Sequence, residues 1–207
     1  HLFNKKQLNL NNMKKVILIS ISILAIIFMS FQLMVYKSTN ETLKYNYTVV
    51  KKYDNIETRI YDEALFAKVD LSKSEYKNMS SKGFRILADY IFGNNEKSAQ
   101  ISMTSPVVME MNDDYTMEFM MPNDFDKNSL PLPNNKKIEI YIKPTWRGAS
   151  ITFGGFADDK IIKNKIEELK NELEKHNINH KSNFKFLGYN PPYQLIDRKN
   201  EIVVEIK

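Results

Sequence analysis

Cysteine is missing from all 207 residues. Its absence excludes a disulfide framework, thiolate zinc and iron–sulfur sites, a cysteine nucleophile and an acylated lipobox cysteine. Histidine is nearly as scarce, with only His1, His176 and His180 in the chain. No stretch matches the phosphate loop Gly-x-x-x-x-Gly-Lys, the zinc motif His-Glu-x-x-His or the nucleophile elbow Gly-x-Ser-x-Gly, so the common signatures of nucleotide, zinc-peptidase and serine-hydrolase chemistry are lacking. Acidic side chains are missing from one region: no Asp or Glu precedes Glu41, whereas Lys5, Lys6, Lys14 and Lys15 all lie there. From Lys37 onward 26 basic residues face 25 acidic ones, so four of the five formal positive charges belong to the leader and the remainder is nearly neutral. The clustered Lys and Arg that hold phosphates through counterion release do not occur, and no nucleic-acid partner is expected.

What is present is apolar material. Hydrophobic residues make up 43% of the chain and aromatic ones 12%, enough for one substantial core and too much for a chain that is mainly disordered. Val16 to Tyr36 carries no charged side chain. As a helix that run is about 30 Å long, the thickness of bilayer hydrocarbon. Only Ser20, Ser22, Ser30 and Gln32 break its apolar surface, which is not the polar face of a soluble amphipathic helix. Lys14 and Lys15 directly before it keep the N-terminus cytoplasmic by the positive-inside tendency and send the rest across. The Met13-Lys14-Lys15 pattern marks Met13 as the expected start, with residues 1–12 an upstream extension of a basic segment 1–15. An uncleaved anchor over 16–36 is the first reading. A cleaved signal releasing a secreted or periplasmic domain is the second, and its small-residue cleavage site is spoiled by Phe28, Phe31 and Tyr36.

A polar linker within 37–44 leads to a domain over 45–207. Tyr45, Tyr47 and Val49, then Ile56, Thr58 and Ile60, alternate with polar residues across an Asp54-Asn55 turn, the period of half-buried strands. The second strand is expected to continue through Leu65, Ala67 and Val69. Ser72-Lys73-Ser74-Glu75 fits a capping box and opens a helix over about 72–92 that Gly93 ends. Ile101–Met111 and Tyr115–Met121 form a hairpin across Asn112-Asp113-Asp114. The pattern then repeats: a strand at Ile138–Lys143, a turn at Trp146-Arg147-Gly148, a strand through Phe153, a helix over 158–177, and strands near 184–189 and 201–206. A β-β-α-β-β unit written twice predicts an α+β fold. The expected form is a distorted eight-stranded antiparallel barrel flanked by two helices and preceded by the apolar N-terminal helix.

Six separated motifs carry a resemblance. They are Gly83-Phe84-Arg85-Ile86-Leu87-Ala88-Asp89-Tyr90-Ile91-Phe92-Gly93-Asn94-Asn95, Ile101-Ser102-Met103-Thr104-Ser105-Pro106-Val107, Phe119-Met120-Met121-Pro122, Phe153-Gly154-Gly155-Phe156, Gly188-Tyr189-Asn190-Pro191-Pro192 and Arg198-Lys199-Asn200-Glu201. In order and spacing the chain resembles the SOUL haem-binding protein family over roughly 45–207. The resemblance implies a duplicated βα barrel and non-covalent binding of haem or a related tetrapyrrole in a mostly apolar pocket beside the first domain helix. By motif position it points to Phe84, Leu87, Ala88 and Ile91 on that helix, Met103 after it and Tyr189 in the Gly-Tyr-Asn-Pro-Pro loop. Ser81 and Asp89 stand where cations for the propionates would be expected, leaving Arg85, Lys82 and Lys199 for that role.

Haem iron takes His, Cys, Met or Tyr ligands. Neither His176 nor His180 falls within these motifs, and both read as a solvated helix end, so no histidine ligand and no metal site is named. Met79 and Met103 are the thioethers to test, although methionine is first a flexible core filler. Gly154-Gly155 reads as a bend or close approach, and Glu167, Glu168, Glu172 and Glu174 as a solvated helix face. The function expected is binding of a tetrapyrrole by apolar burial without a histidine ligand, and no catalytic residue is assigned. The alternative is a ligand-free interaction or structural module at the membrane surface, with an unknown protein partner. Chemistry on a buried carboxylate in the barrel is a third reading by fold analogy alone.

Overall fold

The computed structural model describes residues 2–71, 76–111 and 115–207; side chains are described from residue 12 onward, except those of 72–77, 79 and 111–114. The expected capping box at Ser72–Glu75 and the turn at Asn112–Asp114 lie outside the described residues. Helix α1 spans Leu2–Glu41, so the polar stretch that follows Tyr36 is helical as far as Glu41. Three strands follow, β1 (Tyr47–Lys52), β2 (Ile56–Tyr61) and β3 (Ala64–Leu71), then α2 (Tyr76–Ile91), β4 (Val107–Met111) and β5 (Tyr115–Met120). The second half comprises β6 (Ile138–Lys143), β7 (Trp146–Phe153), α3 (Asp159–Lys175), β8 (His180–Gly188) and β9 (Asn200–Ile206).

The fold class is the expected one: a curled antiparallel sheet, with helices, behind an apolar N-terminal helix. The sheet has nine strands in the order β1-β2-β7-β9-β8-β4-β5-β3-β6. It gains the ninth because the long second strand divides at Asp62-Glu63. Tyr61 pairs with Trp146 of β7, whereas Ala64 pairs with Lys143 of β6. The chain therefore crosses from one end of the sheet to the other within two residues. Trp146-Arg147-Gly148 is strand for the same reason, since it takes the full register against β2, and the turn falls at Pro144-Thr145. Residues 101–106 stay outside the ladder; Pro106 has no N–H to donate, and β4 starts at Val107.

Period-two alternation sorts the strand side chains between two faces. Leu65, Ala67 and Val69 of β3, Met109 of β4 and Ile202 and Val204 of β9 join Leu87 and Ile91 of α2 and Leu169 and Leu173 of α3 in the main core. The intervening residues, among them Tyr61, Phe66, Val108, Met120, Leu187 and Val203, form a second cluster on the face away from α2 and α3. Asp158 caps α3 by accepting from the Ile161 N–H at 2.8 Å.

Candidate functional site

The sheet separates the nine residues singled out from the sequence. Leu87 and Ile91 are fully buried in the core between α2 and the sheet, and Ala88 is buried beside them. Their apolar surface is already spent on packing. Phe84 lies at the flank of α2, 41% exposed, with its ring edge-on to the buried Phe119 of β5 at 5.4 Å. Arg85 is exposed next to it, and Met103 packs half-buried against the core. Met79 lies on α2, and its side chain is outside the described residues.

Tyr189 and Lys199 belong to a different neighbourhood. They flank the loop joining β8 to β9 and line a cavity of about 490 Å³. Tyr36, Thr39 and Asn40 of α1 contribute one wall, and Lys44, Ser105, Phe153 and Arg198 contribute others. The segment after α2 links the two regions. Ile101 donates to the Ile91 carbonyl at 2.8 Å, and four residues later Ser105 borders the cavity.

The loop itself is tied to α1. Gln32 is almost fully buried; its Nε2 donates to the Tyr193 carbonyl at 3.1 Å, and its Oε1 accepts from the Leu195 N–H at 3.0 Å. Thr39 donates to Gln194 Oε1 at 2.8 Å. Arg198 braces the loop from below, with Nη1 donating at 2.7 Å to the carbonyls of both Pro191 and Gln194. Gly155, at φ +78°, makes the bend that brings this strand end alongside, and Asn200 Nδ2 donates to its carbonyl at 2.9 Å. The bend expected at Gly154-Gly155 is thus used to close one side of the site.

Behind Tyr189 the sheet face away from α2 and α3 holds a buried ion pair that sequence reading did not find. Both Arg59 Nη atoms donate to Glu201 at 2.9 Å, and both residues are almost fully buried. Tyr189 Oη donates to Glu201 at 2.7 Å, and Lys199 Nζ lies 3.0 Å from it. Burial would raise the Glu201 carboxyl, but the hydrogen bonds and charge of Arg59 outweigh it and hold the group below the usual carboxylate range. Burial, reinforced by the neighbouring Glu201 charge, pushes the Tyr189 hydroxyl well above its ordinary value, so it is a hydrogen-bond donor at neutral pH. A second charged group lies along the same face in a basin of about 720 Å³. There Lys143 bonds Glu118 at 2.9 Å and Lys185 bonds Glu110 at 3.3 Å. Burial brings the Lys143 ammonium down to about 8 against the opposing pull of Glu118.

His176 and His180 line neither cavity. His176 lies tilted against Tyr53 with ring centroids 4.3 Å apart, and His180 Nδ1 lies 2.6 Å from the Lys181 carbonyl. Among the described residues no group of three or more acidic or histidine side chains is placed to hold a metal ion.

Comparisons with known proteins agree with this architecture. The SOUL heme-binding protein family model matches residues 41–205. Heme-binding protein 1 of Xenopus laevis is 26% identical over 154 residues, covering 70% of this chain and 80% of its own. Heme-binding protein 2 of Mus musculus is 25% identical over 155 residues, covering 70% and 75%. Among solved structures, the EcmrR C-terminal domain superposes with a TM-score of 0.58 at 13% identity, covering 78% of this chain and 98% of that one. A hydrolase from Listeria innocua gives 0.50 at 8% identity, covering 76% and 94%. At such identities these two report a shared fold alone. The family match extends over most of the chain and takes in both the α2 motif and the loop that walls the cavity, and the chain belongs to the SOUL heme-binding protein family.

Proposed function

We propose that the protein binds haem or a related tetrapyrrole without a histidine ligand, in the cavity walled by Tyr189, and that it acts as a binding protein and not as an enzyme. The observation that carries this reading is the make-up of that cavity. Its volume of about 490 Å³ falls in the range of small-molecule sites. Tyr36, Phe153 and Tyr189 offer ring surface to a flat macrocycle. Three cations line it: Arg198 is held by the Pro191 and Gln194 carbonyls and Lys199 by Glu201, so the exposed Lys44 is the one best placed to meet a propionate. Apolar burial supplies about 25 cal/mol per Å², so a large ring can be held without a protein bond to iron. A tetrapyrrole held here would bring its own redox and ligand-exchange chemistry; the chain's part is to orient the ring and pair its carboxylates.

Residue placement also supports a second position for the ring. Phe84 is 41% exposed with the exposed Arg85 beside it on α2, a place where a ring could rest against the helix. The space beneath α2 is filled by Leu87 and Ile91. Hemin titration of the full chain in detergent distinguishes the two. A saturable, shifted Soret band is expected, and Lys44→Glu, at an exposed site, should weaken it several-fold while Phe84→Asp changes it little. The reverse pattern places the ring on α2. A linear titration with no saturation in the micromolar range removes the binding reading and leaves the interaction module.

We also propose that α1 spans a membrane. Asn12–Glu41 has a mean hydropathy of 2.6 in its most apolar window, with 6% of that window buried against the domain. Lys14 and Lys15 favour a cytoplasmic N-terminus, with the domain on the other side.

A further inference from the structure

The loop between β8 and β9 has its polarity reversed for a surface loop. Gln194 points inward and is almost fully buried, whereas Tyr193, Leu195 and Ile196 on either side of it are each more than half exposed. The backbone is correspondingly self-sufficient. Gln32 satisfies the Tyr193 carbonyl and the Leu195 N–H, Gln194 Nε2 donates to the Ile196 carbonyl at 2.9 Å, and Arg198 takes the carbonyls of Pro191 and Gln194. Pro191 and Pro192 have no N–H to satisfy. Internal pairing of this kind is what backbone needs where water is scarce.

The pairing to Gln32 also fixes the loop's height on α1. From Lys15 to Gln32 is a rise of about 26 Å at 1.5 Å per residue, close to the roughly 30 Å of hydrocarbon. With Lys15 at one face of a bilayer, the rung that carries Gln32 lies at the opposite boundary between acyl chains and headgroups. The aromatic pair at that level, Phe31 and Tyr193, has ring centroids 6.1 Å apart. Tyrosine is the side chain enriched at this depth.

We propose that the β8–β9 loop is a membrane-contacting element: Tyr193, Leu195 and Ile196 sit in the headgroup–acyl boundary beside α1, so that the cavity walled by Tyr189 opens at the lipid surface. The occupant of this apolar tip is the bilayer, because the tip is continuous with a helix whose own apolar residues are exposed along the same length, Leu33 and Met34 among them. This rests on α1 being a membrane span and deepens the binding reading, since the loop that enters the lipid also forms the wall of the site. A hydrophobic ligand dissolved in the membrane then reaches the site without crossing water.

The absence of cysteine makes the test direct. Single substitutions Leu24→Cys, Ile196→Cys and Asn128→Cys in the full chain, spin-labelled and reconstituted in phosphatidylcholine vesicles with some phosphatidylglycerol, report depth by collision with oxygen against a water-soluble nickel chelate. Leu24 in mid-helix and Ile196 should both favour oxygen, Ile196 being the shallower, and Asn128 should favour nickel. Leu195→Cys repeats the loop measurement at an independent site. If both loop labels match Asn128 while Leu24 is deep, the span stands and the loop proposal is overturned. Loop labels shielded from both reagents mean a protein covers the tip, which also overturns it. Leu24 in water removes the span and this proposal together, whatever the hemin titration shows.

Discussion

Arg59 and Glu201 show what a single buried pair does in this sheet. Taking two charges out of water is costly, and the cost is offset only where geometry and extra hydrogen bonds are good. Here Glu201 accepts from two Arg59 nitrogens, from Tyr189 and from Thr152 Oγ1 at 3.1 Å. Glu201→Gln leaves the buried guanidinium with only the partly exposed Glu57 carboxylate at 3.1 Å as counter-charge, and a loss of about 3 kcal/mol in denaturant unfolding, the low end for a broken buried pair, is expected. The pH dependence has a defined sign. Glu118 and Glu201 both titrate below the ordinary carboxylate value when folded. The unfolded chain therefore binds more protons between the folded and ordinary values, and stability rises with pH there. Their contribution is full above about pH 4.5 and is lost as pH falls through the folded values. The Glu201→Gln variant should lose part of this acid sensitivity; an unchanged slope between pH 5 and 3, about the range concerned, would show that the pair does not govern acid unfolding. None of this was legible in the sequence. Alternation marks Glu57 and Arg59 as the polar side of a strand, but period two cannot distinguish a side that meets water from one that meets a buried partner 142 positions away.

At the scale of the element, α2 is the most readable part of the chain, and its place is easier to read than its pocket. The apolar stripe and the terminal glycine give the helix its place, since Leu87 and Ile91 do face the sheet. The same stripe cannot say whether it lines a slot or fills one. Gly83 decides how closely the helix can lie: a Cβ there would meet Leu71 Cδ1 at 2.8 Å and Met117 Cβ at 3.1 Å. Alanine improves intrinsic helix propensity by about 1 kcal/mol, yet overpacking of a tight contact costs roughly 1–3 kcal/mol. Net destabilisation of about 1 kcal/mol is expected for Gly83→Ala, read from the urea midpoint at constant m-value. A stabilised variant would mean that α2 can lift off the sheet without penalty. The loop holding Tyr189 was only partly legible. The Gly-Tyr-Asn-Pro-Pro motif marked it, whereas its attachment to Gln32 joins residues 161 positions apart and leaves no local pattern.

The two β-β-α-β-β units are visible in the order of elements, but their connection appears only in three dimensions. One strand ahead of the helix in each half pairs with the other half: β2 pairs with β7 of the second unit, and β6 pairs with β3 of the first. The halves also meet at β4 and β8. With each unit supplying an edge to the other, neither retains a complete sheet when its neighbour unfolds, and a single cooperative transition follows. The chain provides its own probe, because the one tryptophan, Trp146, lies on β7 stacked on Tyr61 of β2 with ring centroids 4.4 Å apart. Its fluorescence therefore reports the junction between units, while the near-ultraviolet ellipticity of the tyrosines reports both halves. In detergent, where α1 remains sheltered, the two signals should have the same urea midpoint and the same slope. An earlier fluorescence transition would mean that β2 and β7 part before the rest of the sheet and that the duplicated units are separable domains. Coincident curves would establish that the exchange of β2 and β6 between the halves has made one folding unit out of two.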